Sequence, residues 1–180
     1  IRFFGDGYQK SKIIGDHRFW RIPVMDGEFL VQENVGVESG VAGGNIIIQA
    51  ESQAVALDAA QRAVAGIDGL AGTITPFPGG VARSGSKVGS RYKGLKASTS
   101  DGFCPTLRGR VESKLYEGVN SALEIVIDGV SEAAVAQAMS VAMHSAAGDQ
   151  VIAIGAGNYG GQLGKHHFHL RRLQEMNSNS

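Results

Sequence analysis

One cysteine, Cys104, stands in 180 residues. That excludes an internal disulfide framework and fits a reducing compartment, with the cytoplasm as the default. Neither sign of charge is in excess, since 17 Lys and Arg balance 17 Asp and Glu. The chain therefore lacks the bulk basic footprint with which proteins meet nucleic acid, and no nucleic-acid partner is expected. No apolar run approaches the roughly 18–20 residues that span a bilayer, so no membrane partner is expected either. No secretory signal pattern is present. Proline is scarce at four residues, yet two of them, Pro76 and Pro78, fall almost together. With 19% charged and 43% hydrophobic residues, the chain is globular and long enough for one domain, or one lobe, with a real core.

Glycine is what the chain has in quantity. There are 26, clustered at 5–7, 43–44, 79–80 and 155–161 without a repeat period. Such clusters mark tight turns where backbone approaches backbone or a ligand. The chain opens on Ile1 with Arg2-Phe3-Phe4 already strand-like, and it reads as the C-terminal part of a longer polypeptide.

Residues 1–37 read as strands at 1–4, 19–24 and 28–37, with Asp26-Gly27 between apolar runs as a hairpin signal. Residues 45–50, N-I-I-I-Q-A, suit a buried strand. From 52 to 65 the spacing of Val55, Leu57, Ala60, Val64 and Ile67 predicts a helix, with Ser52 as N-cap and glycines at 66 and 69 beyond its end. A short strand at 73–77 completes a β-α-β unit. A second unit follows: a strand at 123–128, a helix from Ser131 to about Ala147, and a strand at 151–154. Two such units predict an α+β, ferredoxin-like split β-α-β sandwich with both helices on one face of an antiparallel sheet. Residues 1–37 would then be an added antiparallel extension, 38–173 the lobe itself, and 174–180 a polar, frayed tail.

The stretch 75–89, T-P-F-P-G-G-V-A-R-S-G-S-K-V-G, holds two prolines, four glycines, two cations and no carboxylate. Its prolines exclude helix and central strand. Gly79 and Gly80 let a ligand approach the main chain, and Arg83, Ser86 and Lys87 add charge and hydroxyls. The functional reading is a stiff loop holding an anionic or carbonyl-bearing ligand; the plain one is a surface loop. It is not a nucleotide-triphosphate loop, because Lys87 comes one place late.

Other candidates meet plain alternatives. Residues 155–160 satisfy G-x-G-x-x-G after a strand, but neither a following helix nor an acidic residue at a strand end is present, which argues against dinucleotide binding. His166, His167 and His169 invite a metal, yet no second ligand cluster accompanies them; were 165–170 a strand, His166 would face away from the other two. Cys104 has no base linked to it by sequence, and a buried structural thiol is the better reading. Glu124 is the hardest residue to explain as structure, because it interrupts the apolar strand Leu123-Ile125-Val126-Ile127. A carboxylate on a partly apolar face suits acid/base work near neutrality, since burial disfavours its charged form. An edge-strand glutamate facing water is the alternative.

Several motifs then agree. F-F-G-D-G-Y (3–8), I-P-V-M-D-G-E-F (22–29), G-V-A-G-G-N (40–45), the loop 75–89, C-P-T-L (104–107), E-I-V-I-D-G-V (124–130) and A-G-N-Y-G-G-x-L-G-K (156–165) stand in this order. Together they resemble the C-terminal (distal) lobe of formylmethanofuran–tetrahydromethanopterin formyltransferase, over nearly the whole chain. The resemblance implies a formyl transfer between methanofuran's amine and N5 of tetrahydromethanopterin, with these two coenzymes as substrates and no permanently bound cofactor or metal. It implies an N-terminal lobe in the same polypeptide, a homo-oligomer, and subunits of a formyltransferase/hydrolase complex as further partners. It places the acid/base role on Glu124. Substrate contacts fall on Gly79, Gly80, Arg83, Ser86, Lys87, Asn158, Tyr159 and Lys165, with backbone N–H groups at 79–80 or 160–161, or the Asn158 amide, as oxyanion donors. The neutral net charge resembles the bacterial rather than the acidic archaeal members. Two rivals remain at this point: a non-catalytic lobe or interaction module, and a different acyl- or amide-hydrolysing enzyme on the same scaffold.

Overall fold

The structure is a computed structural model and describes residues 7–83, 100–157 and 165–177. The chain divides into two compact units, Ile1–Ser39 and Gly40–Ser180.

The first unit is a three-stranded antiparallel sheet in the order β1 (Lys10–Ile14), β2 (His17–Val24), β3 (Gly27–Gln32). Both connections are two-residue turns, and glycine serves each: Gly15 has φ +59° and Gly27 φ +148°. The second turn is the one expected near Asp26-Gly27. Across β2 and β3 the Arg21 guanidinium pairs with Glu28. That hydrogen bond, and then the carboxylate's charge, push the arginine pKa up. β1 is absent from the sequence reading, and the strand expected at 1–4 lies outside the described residues. β3 stops at Gln32 rather than 37.

The second unit runs β4 (Val41–Ala50), α1 (Gln53–Ile67), β5 (Thr73–Ile74), β6 (Ala82–Arg83), β7 (Ser121–Gly129), α2 (Glu132–Ala146), β8 (Val151–Gly155) and α3 (Leu170–Asn177). The sheet has the order β5-β7-β4-β8, with β6 also pairing with β7. Every pairing is antiparallel. The fold is therefore α+β, built on antiparallel sheets.

Both long helices lie on one face of this sheet. Ala56, Ala59, Ala60 and Ala63 of α1 and Val135, Ala138, Met139 and Ala142 of α2 share one buried cluster with Ile46 and Ile48 of β4 and Ile125 and Ile127 of β7. Each isoleucine fully withdrawn from water contributes roughly 1.5–3 kcal/mol. The alanines keep α1 close to the strands. Ser52 and Ser131 cap the helices, their Oγ atoms accepting from Val55 N (3.3 Å) and Ala134 N (3.2 Å). Arg62 of α1 donates to Ser145 O and Ala146 O (3.1 and 3.0 Å), satisfying carbonyls that the end of α2 leaves open.

Two differences from the sequence reading matter. β4 begins at Val41, because a bulge between Val41 and Gly44 absorbs the glycine pair, with Gly43 at φ +88°. Residues 165–169 form no strand, and the chain is helical through Leu170–Asn177, where a frayed tail is expected from 174. Leu173 of α3 is buried, and its carbonyl accepts from Ser140 Oγ at 2.7 Å.

Candidate active site

The sheet face away from the helices is also buried, but it is polar at its centre. Alternation along β4 turns Asn45, Ile47 and Gln49 to that side, and along β7 it turns Ala122, Glu124 and Val126. The register sets Glu124 opposite Ile47, with Asn45 and Gln49 as its diagonal neighbours. Asn45, Gln49 and Glu124 are 4%, 2% and 5% exposed, so three polar side chains lie together out of bulk water.

Such burial is tolerable only with partners. Asn45 Nδ2 donates to Glu124 Oε1 at 2.6 Å, and Asn45 Oδ1 accepts from Gly157 N at 3.0 Å. Gln49 Oε1 accepts from Tyr116 N at 3.2 Å, which ties the 100–120 stretch to this face. The carboxylate thus stands on the central strand of the sheet, joined through one amide to the start of the glycine run that follows β8. A sheltered, oriented carboxylate beside glycine-rich backbone can move a proton to or from a substrate nitrogen.

The structure does not bring all the expected residues to this point. Gly80 (φ +73°) packs against α1, where an added Cβ would lie 2.6 Å from Val64 Cγ2, and its N–H donates to Phe77 O at 2.7 Å. That N–H is therefore engaged, which corrects its candidacy as an oxyanion donor. Gly79 (φ +65°) lines a shallow cleft with Gln61, Val64, Thr73 and Thr75, on the α1 side of the unit. Arg83 is exposed and stands opposite Leu123, while Ala82 stands opposite Glu124. Paired neighbours share a face, so Ala82 and not Arg83 is the β6 residue beside the carboxylate. Lys165 is exposed. Ser86, Lys87, Asn158 and Tyr159, and the 160–161 glycines, lie outside the described residues.

Among the described residues no group of three or more His, Cys, Asp or Glu is arranged to hold a metal. His166 Nδ1 lies 2.8 Å from Glu132 Oε2 at the start of α2. Cys104 is half-buried rather than buried, its Sγ 3.1 Å from Thr106 Oγ1 between two short 3₁₀ turns. The sequence reading missed Asn45 and Gly157 as members of the site. The signal for Asn45 was present: in N-I-I-I-Q, the two polar residues stand four apart, on one face of a strand with Ile47 between them, which marks a second buried face with polar content.

Comparison with known proteins places these observations. A family model described as "FTR, proximal lobe" matches residues 27–173. The chain is 53% identical to the formylmethanofuran–tetrahydromethanopterin formyltransferase of Methylococcus capsulatus, over 96% of this chain and 59% of that protein. It is 47% identical to the enzyme of that name from Methanopyrus kandleri, over 96% of this chain and 58% of that protein. Among solved structures it is similar to the formyltransferase from Methanosarcina barkeri, with a TM-score of 0.70 at 44% identity over 95% of this chain and 59% of that one. It is similar too to a chain of the formyltransferase/hydrolase complex from Methylorubrum extorquens in complex with methylofuran, with a TM-score of 0.69 at 49% identity over 96% and 59%. The chain thus spans 59% of the length of the first of these relatives. The family description corrects the expectation of a distal lobe. On these matches the chain belongs to the formylmethanofuran–tetrahydromethanopterin formyltransferase family, of which it carries the proximal lobe.

Proposed function

We propose that this chain supplies the acid/base part of a site that moves a formyl group between formylmethanofuran and N5 of tetrahydromethanopterin. The single observation that carries the proposal, beside family membership, is the buried Glu124 carboxylate held by Asn45 next to the glycine run. In this reaction the pterin N5 attacks the formyl carbon, and the carbonyl electrons move onto oxygen. Glu124 takes the N5 proton and then gives it to methanofuran's nitrogen as the C–N bond to that nitrogen breaks, so no proton is gained or lost overall. A positioned acid/base group contributes roughly 10²–10⁴-fold. Oxyanion donors add about 2.7–4 kcal/mol each, and we assign them to the 160–161 backbone and the Asn158 amide. Ser86, Tyr159 and the cations Arg83, Lys87 and Lys165 would contact the polar and anionic parts of the two coenzymes, and Gly79 would allow close backbone approach.

The same reading extends to fold and partners. Numbered within the second unit, with β5 and β6 together as the second strand, the order is second-third-first-fourth with both helices on one face. That order supports the ferredoxin-like split β-α-β description. We propose residues 1–37 as an added extension, an N-terminal lobe completing the polypeptide, a homo-oligomer in the cytoplasm, and association with formyltransferase/hydrolase subunits. No cofactor beyond the two coenzyme substrates enters the scheme.

Glu124→Gln in the intact enzyme keeps size and hydrogen bonding but cannot exchange a proton near neutrality. Turnover should fall by a factor on the order of 10²–10⁴, with the Michaelis constants for both coenzymes little changed. Near-normal turnover removes Glu124 from the mechanism and leaves the non-catalytic-lobe reading in its place.

A further inference from the structure

Resting on the role proposed for Glu124, we infer that Asn45 is a positioning residue which holds one oxygen of that carboxylate and ties it to the glycine run. The side chain of Asn45 is almost wholly withdrawn from solvent at 4% exposure, and it has two partners on opposite sides. One is the backbone N–H of Gly157, which can only donate, so the asparagine atom 3.0 Å from it is the oxygen. The other end is then the NH₂ group, 2.6 Å from Glu124 Oε1, and it can only donate. Oε1 is therefore held as an acceptor by the asparagine amide, which fixes the plane in which the carboxylate lies.

Glu124 has these neighbours on the two strands paired with β7 at this point. Across β4 it faces Ile47, with Asn45 and Gln49 diagonal to it, and across β6 it faces Ala82. None of these four titrates. Arg83, the next residue of β6, is exposed and paired with Leu123. Gln49 is turned to the Tyr116 backbone. Asn45 also couples the carboxylate to the glycine run, because its carbonyl fixes Gly157 at the end of β8 while its amide fixes Oε1. One buried side chain thus links the carboxylate to the backbone of that run.

The test uses the intact enzyme and four variants: Asn45→Ser, Asn45→Asp, Glu124→Gln and the Asn45→Ser/Glu124→Gln double variant. Serine is too short to reach both partners, and kcat should fall roughly 10- to 100-fold, the usual scale for loss of a hydrogen bond to a charged group, with KM for both coenzymes little changed. Added to Glu124→Gln, the same change should cost almost nothing further, because its effect runs through the carboxylate. Asn45→Asp keeps the shape but sets a second carboxylate against Oε1. The basic or acidic limb of the kcat–pH profile assigned to Glu124 should then move to higher pH, since a like charge disfavours the ionised form. If Glu124→Gln is nearly inactive, yet Asn45→Ser multiplies its loss in full or acts on KM alone, the positioning role is overturned while the role of Glu124 stands. If Glu124→Gln retains turnover, both fall. Should Asn45→Asp not fold, the cycle with serine decides the matter alone.

Discussion

Gly44 gives the sharpest test of how the sheet is packed against α2. A Cβ built at this position would lie 2.4 Å from Val135 Cγ1, 3.2 Å from Met139 Sδ and 3.3 Å from Ile127 O. The first contact is roughly 1 Å shorter than ordinary van der Waals contact, which begins at 3.4 Å. Val135 is fully buried and β-branched, and a helical valine has essentially one χ1 setting, so it cannot swing aside. Met139 can yield, but the Ile127 carbonyl belongs to the β7 backbone. Gly44→Ala must therefore separate β4 from α2, and overpacking of this kind costs about 1–3 kcal/mol. For a chain of this size that lowers Tm by roughly 2–12 °C. The assay is urea and thermal unfolding followed by circular dichroism, run also on Val135→Ala and on the double variant. Removing both Val135 methyls should relieve the clash, so the double variant should be more stable than the sum of the single losses by about 0.5–3 kcal/mol. An unshifted Gly44→Ala transition, or strictly additive losses, would refute the packing argument.

Three further outcomes follow from the same structure. Ser131→Ala removes the acceptor for Ala134 N and should lower stability by about 0.5–2 kcal/mol, read by urea unfolding; no change would mean that solvent replaces the cap. Arg62→Met keeps the aliphatic stem but leaves Ser145 O and Ala146 O without their donor, so amide exchange in the last turn of α2 should quicken and stability fall by roughly 1–3 kcal/mol. Arg83→Ala and Lys87→Ala should each raise KM for a coenzyme several-fold, and Arg83→Ala should leave Tm unmoved because that side chain is exposed; if neither moves either KM, the 75–89 loop serves structure alone.

The long helices and central strands were legible because each has a one-sided burial pattern. Val55, Ala60, Val64 and Ile67 recur at helical spacing, and α1 is found at Gln53–Ile67 against an expected 52–65. β1 was invisible for the opposite reason: K-S-K-I-I is exposed along its whole length, so burial left no period in its sequence. Gly43-Gly44 reads as a turn when only local preference is considered; the bulge it forms depends on the partner strand, 85 residues away at Asp128, whose Oδ1 accepts from Gly43 N. α3 hides for a similar reason, since Leu173 is its one buried side chain among those described and the rest of L-R-R-L-Q-E reads as tail. At the site, an unexplained carboxylate in an apolar strand pointed to Glu124. Its link to Asn45 joins residues 79 apart and required the β4–β7 register. The same register separates Arg83 from Glu124, which no reading of the loop by itself reveals.

β7 is bonded to three other strands, β4 on one side and β5 and β6 on the other. A strand held along both edges releases its amides to solvent only when the whole unit opens, so its protons should be among the slowest to exchange. Glu124 is carried on this strand. The carboxylate then has no local unfolding route of its own: its alignment persists for as long as the lobe is folded. Heat or denaturant should abolish turnover in step with the folded fraction, and substitutions elsewhere in the core should change how many molecules are active rather than how well each one works.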